Sequence, residues 1–254
     1  MSDAWRLSLL RVGLALTALA TLLYSAPLWR SHDLPPQVPP FGVAPPRWVD
    51  TPLFLLALTA LVVLIRGGRS AAPAALTFAG AMLLLVLGDQ HRWQPEVQMF
   101  VIFALGLGAC SYLTIDRSSV VLALLRLYVI SLYAYSGLQK LNPGFIEGVA
   151  PWLLEPALGW THLVPYVASD ETRVVLGVAT ALTEASVAVL LLVPRTRNAG
   201  VLLAVGIHLF LLLTLGPLGH DVNAVIWPWN AFMIWPCSGG CRAALSSRCE
   251  PIHL

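Results

Sequence analysis

The sequence predicts an all-α polytopic integral membrane protein, a helical bundle of about eight spans with both termini in the cytoplasm. Three observations carry that expectation. Of 254 residues, 57% are hydrophobic and 11% charged, against about a quarter charged in a soluble domain. The mean hydropathy is +0.76. Apolar segments approaching the roughly 20 residues of a spanning helix recur along the whole chain. The net charge of +2 is too small to argue for a nucleic-acid partner.

The first candidate span runs from Trp5 to Leu28. Arg6 and Arg11 ahead of a leucine-rich stretch resemble a signal peptide. Ser25-Ala26-Pro27 is a poor cleavage site, however, and more apolar segments follow, so the stretch reads as an uncleaved span. The others are Pro52 to Ile65, Ala72 to Leu87, Val97 to Ile115, Ser119 to Leu141, Val174 to Val193, Ala199 to Leu218 and Val222 to Trp235. The second, third and eighth are short; they recruit flanking residues or cross a locally thin region. Seven spans, or six with re-entrant pieces, are the alternative counts. Residues 1–237 form one transmembrane domain in this reading, and 238–254 a short cytoplasmic tail.

Loop charge sets the orientation. With a cytoplasmic N-terminus the cytoplasmic side receives Arg6, Arg66, Arg69, Arg117, Arg195, Arg197, Arg242 and Arg248, as the positive-inside rule favours. The outer side takes most of the acidic residues and both long connections. The first, Trp29 to Asp50, contains Leu34-Pro35-Pro36-Gln37-Val38-Pro39-Pro40 and reads as an extended strap. The second, Asn142 to Arg173, holds Phe145, Trp152, Trp160 and Tyr166. It is too apolar for a solvated linker and predicts short interfacial helices capping a cavity.

Four cysteines are present. Cys110 lies in an apolar segment and reads as a packing residue. Cys237, Cys241 and Cys249 do not have the spacing of a two-by-two zinc site. They read as isolated thiols or palmitoylation sites ahead of a metal site completed by His253.

The residues with chemical potential cluster in the later spans. Of the fifteen basic residues only Lys140 is a lysine, and it stands where the fifth span runs out. It either snorkels to the interface or is a base kept unprotonated by partial burial. Arg126, Tyr133 and Lys140 are spaced by seven, nearly two helical turns, so they share a face with Ser136 and Gly137. That face is costly against lipid and belongs inside the bundle. Glu184 and His208 sit near mid-depth in the sixth and seventh spans, and a carboxylate there needs a partner. Arg126 is the expected partner of Glu184; His208 is expected to line the pocket or bond a neighbouring helix. In the outer turn Gly88 to Glu96, Asp89 is placed to neutralise Arg92 or to hold Lys140, with His91 beside it and Trp93 as an interface anchor. His220 and Asp221 make another outer pair. The aromatic run Trp227-Pro228-Trp229 reads as membrane-belt packing. The chain has no Walker loop, Gly-x-Ser-x-Gly elbow, His-Glu-x-x-His or dinucleotide fingerprint.

Ser136-Gly137-Leu138-Gln139-Lys140-Leu141, followed by Asn142-Pro143-Gly144-Phe145-Ile146-Glu147-Gly148, resembles the region around the active-site lysine of the vitamin K-dependent γ-carboxylases. It equally resembles their bacterial relatives, the HTTM (horizontally transferred transmembrane) proteins. The segment Asp89 to Pro95 and His208 are similar to further positions of that family. The resemblance covers about Trp5 to Trp235. It implies a multi-pass protein of the bacterial inner membrane, a quinol or other lipophilic substrate, and Lys140 as base, supported by Tyr133, Glu184 and His208. The family's large lumenal domain has no counterpart after the eighth span, which argues against processive protein carboxylation. A non-enzymatic subunit for maturation, export or binding of a secreted peptide or partner protein is the second reading. A DoxX-like quinone-linked component is the third.

Overall fold

The structure, a computed structural model, describes residues 3–30, 38–42, 46–112, 118–162, 169–222 and 226–235. Among them every regular element is helical. Five helices are long and apolar enough to cross a membrane: Trp5–Tyr24, Gly68–Gly88, Ser119–Gln139, Asp170–Leu192 and Arg197–Leu215. Each of the eight expected segments falls on a helix, but the rest are shorter or less apolar than a full span. The tail with Cys237, Cys241, Cys249 and His253 lies outside the described residues.

The chain divides into two compact units, Met1–Leu125 and Arg126–Leu254. The first holds α1 (Asp3–Tyr24), α2 (Ala26–Arg30), α3 (Asp50–Arg66), α4 (Ala71–Gly88) and α5 (Pro95–Tyr112). The expected first span breaks at Ser25. There the Ser25 hydroxyl donates to the Thr21 carbonyl (2.7 Å) and accepts the Trp29 indole N–H (2.7 Å). The chain restarts as α2, with Pro27 near its beginning, where a missing N–H costs little. Trp29 is thereby buried in a helix rather than lying in an open strap. Alanines line the core between α3 and α4, with Ala57, Ala75 and Ala79 fully buried. Small residues let membrane helices approach closely enough for dispersion to hold them.

The outer turn of this unit corrects one expectation. Arg92 is fully buried and its guanidinium bonds the Asp50 carboxylate at 2.6 Å. It also donates to the Leu28 carbonyl (3.0 Å) and the Leu85 carbonyl (3.3 Å) and lies 5.9 Å from the centre of the Trp29 ring. Asp89 therefore neutralises neither Arg92 nor Lys140. Its carboxylate accepts the His91 backbone N–H (3.0 Å), faces the His91 ring nitrogen (2.9 Å) and receives the Val38 N–H at 3.5 Å. The Gln90 N–H then donates to the Val38 carbonyl (2.9 Å). Asp89 is a clasp that fixes the end of the proline strap, whose Pro35 and Pro36 lie outside the described residues. Trp93 is exposed, as an interface anchor requires.

The second unit holds the main part of α6 (Ser118–Gln139), a π-helical turn at Gly144–Val149, α7 (Ala150–Trp160), α8 (Asp170–Leu192), α9 (Arg197–Leu215) and α10 (Ile226–Trp235). The aromatic connection is helical over Gly144–Trp160, as expected; Tyr166 lies outside the described residues. α6 stops ahead of Pro143, which has no N–H to continue the ladder. Asn142 bridges the break: its amide donates to the Gln139 carbonyl (2.6 Å) and its side-chain oxygen accepts from Phe145 N–H (3.0 Å). α7 is tied back by His220, which stacks on Trp152 (4.2 Å between rings) and donates Nε2–H to the Trp152 carbonyl (2.6 Å). Trp152, not Asp221, is the partner of His220.

The buried pair in the first unit yields a prediction. Asp50→Ala leaves Arg92 charged and unmatched among apolar helices, at a cost of about 3–5 kcal/mol. Thermal unfolding in detergent should show a large fall in midpoint, whereas Asp89→Ala should cost less, because its partners are the His91 ring and two backbone amides rather than a sealed guanidinium.

Candidate functional site

The site is built around the close approach of α6 and α8. A Cβ on Gly137 would lie 2.5 Å from the Ala185 nitrogen and 2.7 Å from its Cα. The two backbones touch here, and only glycine permits it. One residue before Ala185 stands Glu184. Three residues after Gly137 stands Lys140, on the same face of α6. The contact therefore delivers the amine to the carboxylate: Lys140 Nζ bonds Glu184 Oε2 and also donates to the Ser136 hydroxyl at 3.0 Å. The Phe145 ring closes over the ammonium, its centre 5.7 Å away, in the range of a cation–π contact.

This pairing replaces the expected Arg126–Glu184 contact. Arg126 precedes Lys140 by fourteen residues on one helix, about 21 Å of rise. The carboxylate cannot serve both, and the Arg126 Nε is buried without a hydrogen-bond partner. The depth of Lys140 also follows. α8 begins at Asp170, so fourteen residues, again about 21 Å of helix, precede Glu184. Lys140 ends α6 but lies level with the middle of α8. The outer half of α8 is flanked by the π-helical turn, where a Cβ on Gly177 would meet the Ile146 carbonyl at 2.7 Å. The pair is thus covered on the side of that turn, and its side chains retain 30% and 16% exposure for lysine and glutamate.

A second polar group lies in the same unit. The Tyr133 hydroxyl is 2.6 Å from His208 Nε2, and His208 Nδ1 is 2.7 Å from Asn230 Oδ1. All three residues are buried. An amide oxygen can only accept, so His208 carries its proton on Nδ1 and its Nε2 accepts the phenolic O–H. The tyrosine hydroxyl thereby donates a buried hydrogen bond to the imidazole. Tyr133 and Lys140 stand seven residues apart on one face of α6, about 10 Å along the helix, which places the two groups on the same stripe. π-bulges and buried polar networks of this kind concentrate at functional sites.

Of the residues named from sequence, the structure gathers Tyr133, Lys140, Glu184 and His208 in this unit. Asp89, His91, Arg92 and Trp93 belong to the first unit and its own turn. Asn230 went unnoticed in the aromatic run before it. Its signal was a lone amide on a short apolar helix, where a polar side chain requires a partner. Asp50 likewise carried a legible sign, a carboxylate at the first turn of a membrane helix. No family model, curated protein or solved structure matches the chain.

Two variants test the geometry. Gly137→Val forces α6 from α8 and should cost about 1–3 kcal/mol while separating Lys140 from Glu184. Tyr133→Phe leaves His208 Nε2 without its donor and should cost about 1–3 kcal/mol. Thermal unfolding reads both; a Gly137→Val midpoint within error of the unaltered protein would contradict the close approach.

Proposed function

We propose that the protein is a membrane enzyme of the vitamin K-dependent γ-carboxylase-like (HTTM) kind, in the bacterial inner membrane, acting as an acid–base catalyst on a quinol or related lipophilic hydroxyl compound. The observation that carries this reading is the sole lysine of the chain meeting a carboxylate at the middle of α8. A lysine that serves only as an interfacial anchor has no need of an interior carboxylate. The family resemblance of Ser136 to Gly148 points to the same residue independently.

The chemistry needs a neutral amine. The Lys140 ammonium passes a proton to Glu184, leaving a free amine and a carboxylic acid with no net change in charge. The amine then takes the hydroxyl proton of the quinol, giving the ammonium and an electron-rich quinolate, which dissolved dioxygen, as the two-electron oxidant, converts to the quinone. Glu184 returns its proton to solvent through the partly exposed side of the pair. Ser136 orients the amine, and Phe145 excludes water from one face of it. Tyr133, with His208 as its proton acceptor, is a hydrogen-bond partner for a substrate oxygen.

The ion pair also favours a second reading. A lysine held charged by Glu184 is a lock, suited to a non-enzymatic subunit that docks a secreted peptide through the outer helices.

The test is turnover of a reduced naphthoquinone by the full chain in lipid nanodiscs, followed by absorbance. Lys140→Ala and Lys140→Arg should each lose about 10²–10⁴-fold in rate, and Glu184→Gln should lose rate more strongly than stability. Equal turnover in all variants removes Lys140 as base, and an inactive unaltered protein removes the enzyme. A function that survives Lys140→Arg but not Lys140→Ala, together with a stoichiometric co-purifying partner, supports the subunit reading.

A further inference from the structure

The first unit contains a cavity of about 230 Å³ that the site above does not use. Its walls come from α1, α3, α4 and α5: Leu64, Ala71, Ala72 and Leu107 are apolar, while Arg11, Ser8 and Cys110 supply polar edges. The volume falls below the roughly 300–1,000 Å³ of sites that hold a whole small molecule. It suits part of a flexible chain.

Arg11 is the informative residue. Its Nη1 donates to the carbonyls of Leu64 and of Ile65 (3.0 Å), and Nη2 to the Ser8 hydroxyl at 3.3 Å. The two carbonyls belong to the last turn of α3 and the hydroxyl to α1; a helix C-terminal end favours a cation. All are neutral, and among the described residues no carboxylate pairs with Arg11. A part-buried cation is therefore held at an apolar cavity with its charge unmatched and N–H groups to spare. The rim is the connection between α3 and α4, which adds exposed Arg66 and Arg69. Arg11 also packs on Gly67, whose φ of +78° makes the tight exit from α3 and whose Cβ, if present, would lie 2.7 Å from Arg11 Nη1. The sequence around the guanidinium thus keeps it in place.

We infer that this cavity seats part of one acyl chain of an anionic phospholipid, with the headgroup phosphate on Arg11 and the Arg66–Arg69 rim. Apolar walls match the chain, and the unmatched cations match the phosphate, as basic residues near an anionic surface do. The positive-inside rule assigns this end of the unit to the cytoplasmic leaflet, where such lipids reside.

Cys110 lines the cavity and reports its occupancy. The full chain with Cys237, Cys241 and Cys249 changed to serine carries a single thiol. It is placed in nanodiscs of phosphatidylcholine, with or without phosphatidylglycerol, and the rate of Cys110 alkylation by a small apolar maleimide is measured. Phosphatidylglycerol should slow alkylation at least about fivefold, as for a site filled most of the time. Arg11→Lys should keep much of the protection and Arg11→Gln should lose it. Native mass spectrometry should find a retained phosphatidylglycerol on the unaltered protein and none on Arg11→Gln. Equal alkylation rates in the two lipids, or protection that survives Arg11→Gln, overturns the proposal. Should Arg11→Gln fail to fold, the lipid comparison on the unaltered Arg11 decides alone.

Discussion

Burying a charge among apolar helices is costly unless it is paired, and this protein makes such a pair twice with one device. In each unit a basic side chain near a helix end or turn is drawn to a carboxylate on a neighbouring helix. Arg92 reaches Asp50 in the first unit, and Lys140 reaches Glu184 in the second. The two pairs differ in a way that bears on their roles. Arg92 is sealed, with carbonyl acceptors and a tryptophan face around its guanidinium. Arginine stays charged, so this pair has one state and serves the fold. Lys140 keeps partial exposure, and an amine can give up its proton. The proposed proton exchange with a bound molecule therefore calls on the second pair, since the first cannot supply it.

Backbone approach is what makes the lysine pair possible. Gly137 brings α6 onto Ala185, and Gly177 brings the π-helical turn onto α8. A side chain at either glycine would collide with the facing backbone and push the two segments apart. Asn142, bonded to both sides of the helix break, turns the chain so that Phe145 returns over the ammonium. The motif Ser136 to Phe145 thus works as one unit, in which two residues bond the amine or carry it, one lets the helices meet and two direct the return of the chain.

Much of this was legible in the sequence. The membrane class follows from hydropathy, and the polar face of α6 from the heptad spacing of Tyr133 and Lys140. The helical character of the outer connection follows from its aromatic content. What escaped was depth. Counting from span ends places Lys140 at the interface and Glu184 in the interior, so Arg126 looked like the natural partner. The early stop of α6 before Pro143 and the long outward reach of α8 bring lysine and glutamate level instead, and neither length can be read from composition. Asn230 was hidden for a related reason: Trp227 and Trp229 dominate the pattern, and an amide pairing across helices leaves no periodic trace. The ion pair of Arg92 with Asp50 joins residues 42 apart in sequence, so the nearer Asp89 competed for it on paper. Asp89 was needed by the backbone of its own turn.

Because the chain has a single lysine, its side-chain nitrogen can be observed alone. Solid-state NMR of protein in lipid, with ¹⁵N-lysine and ¹³C-glutamate labels, measures the dipolar coupling from Lys140 Nζ to a glutamate carboxyl carbon. The account predicts a strong coupling, of the size set by direct hydrogen bonding, that vanishes in Glu184→Ala. A Lys140 nitrogen with no carboxyl carbon in contact, or a coupling that persists without Glu184, would contradict it.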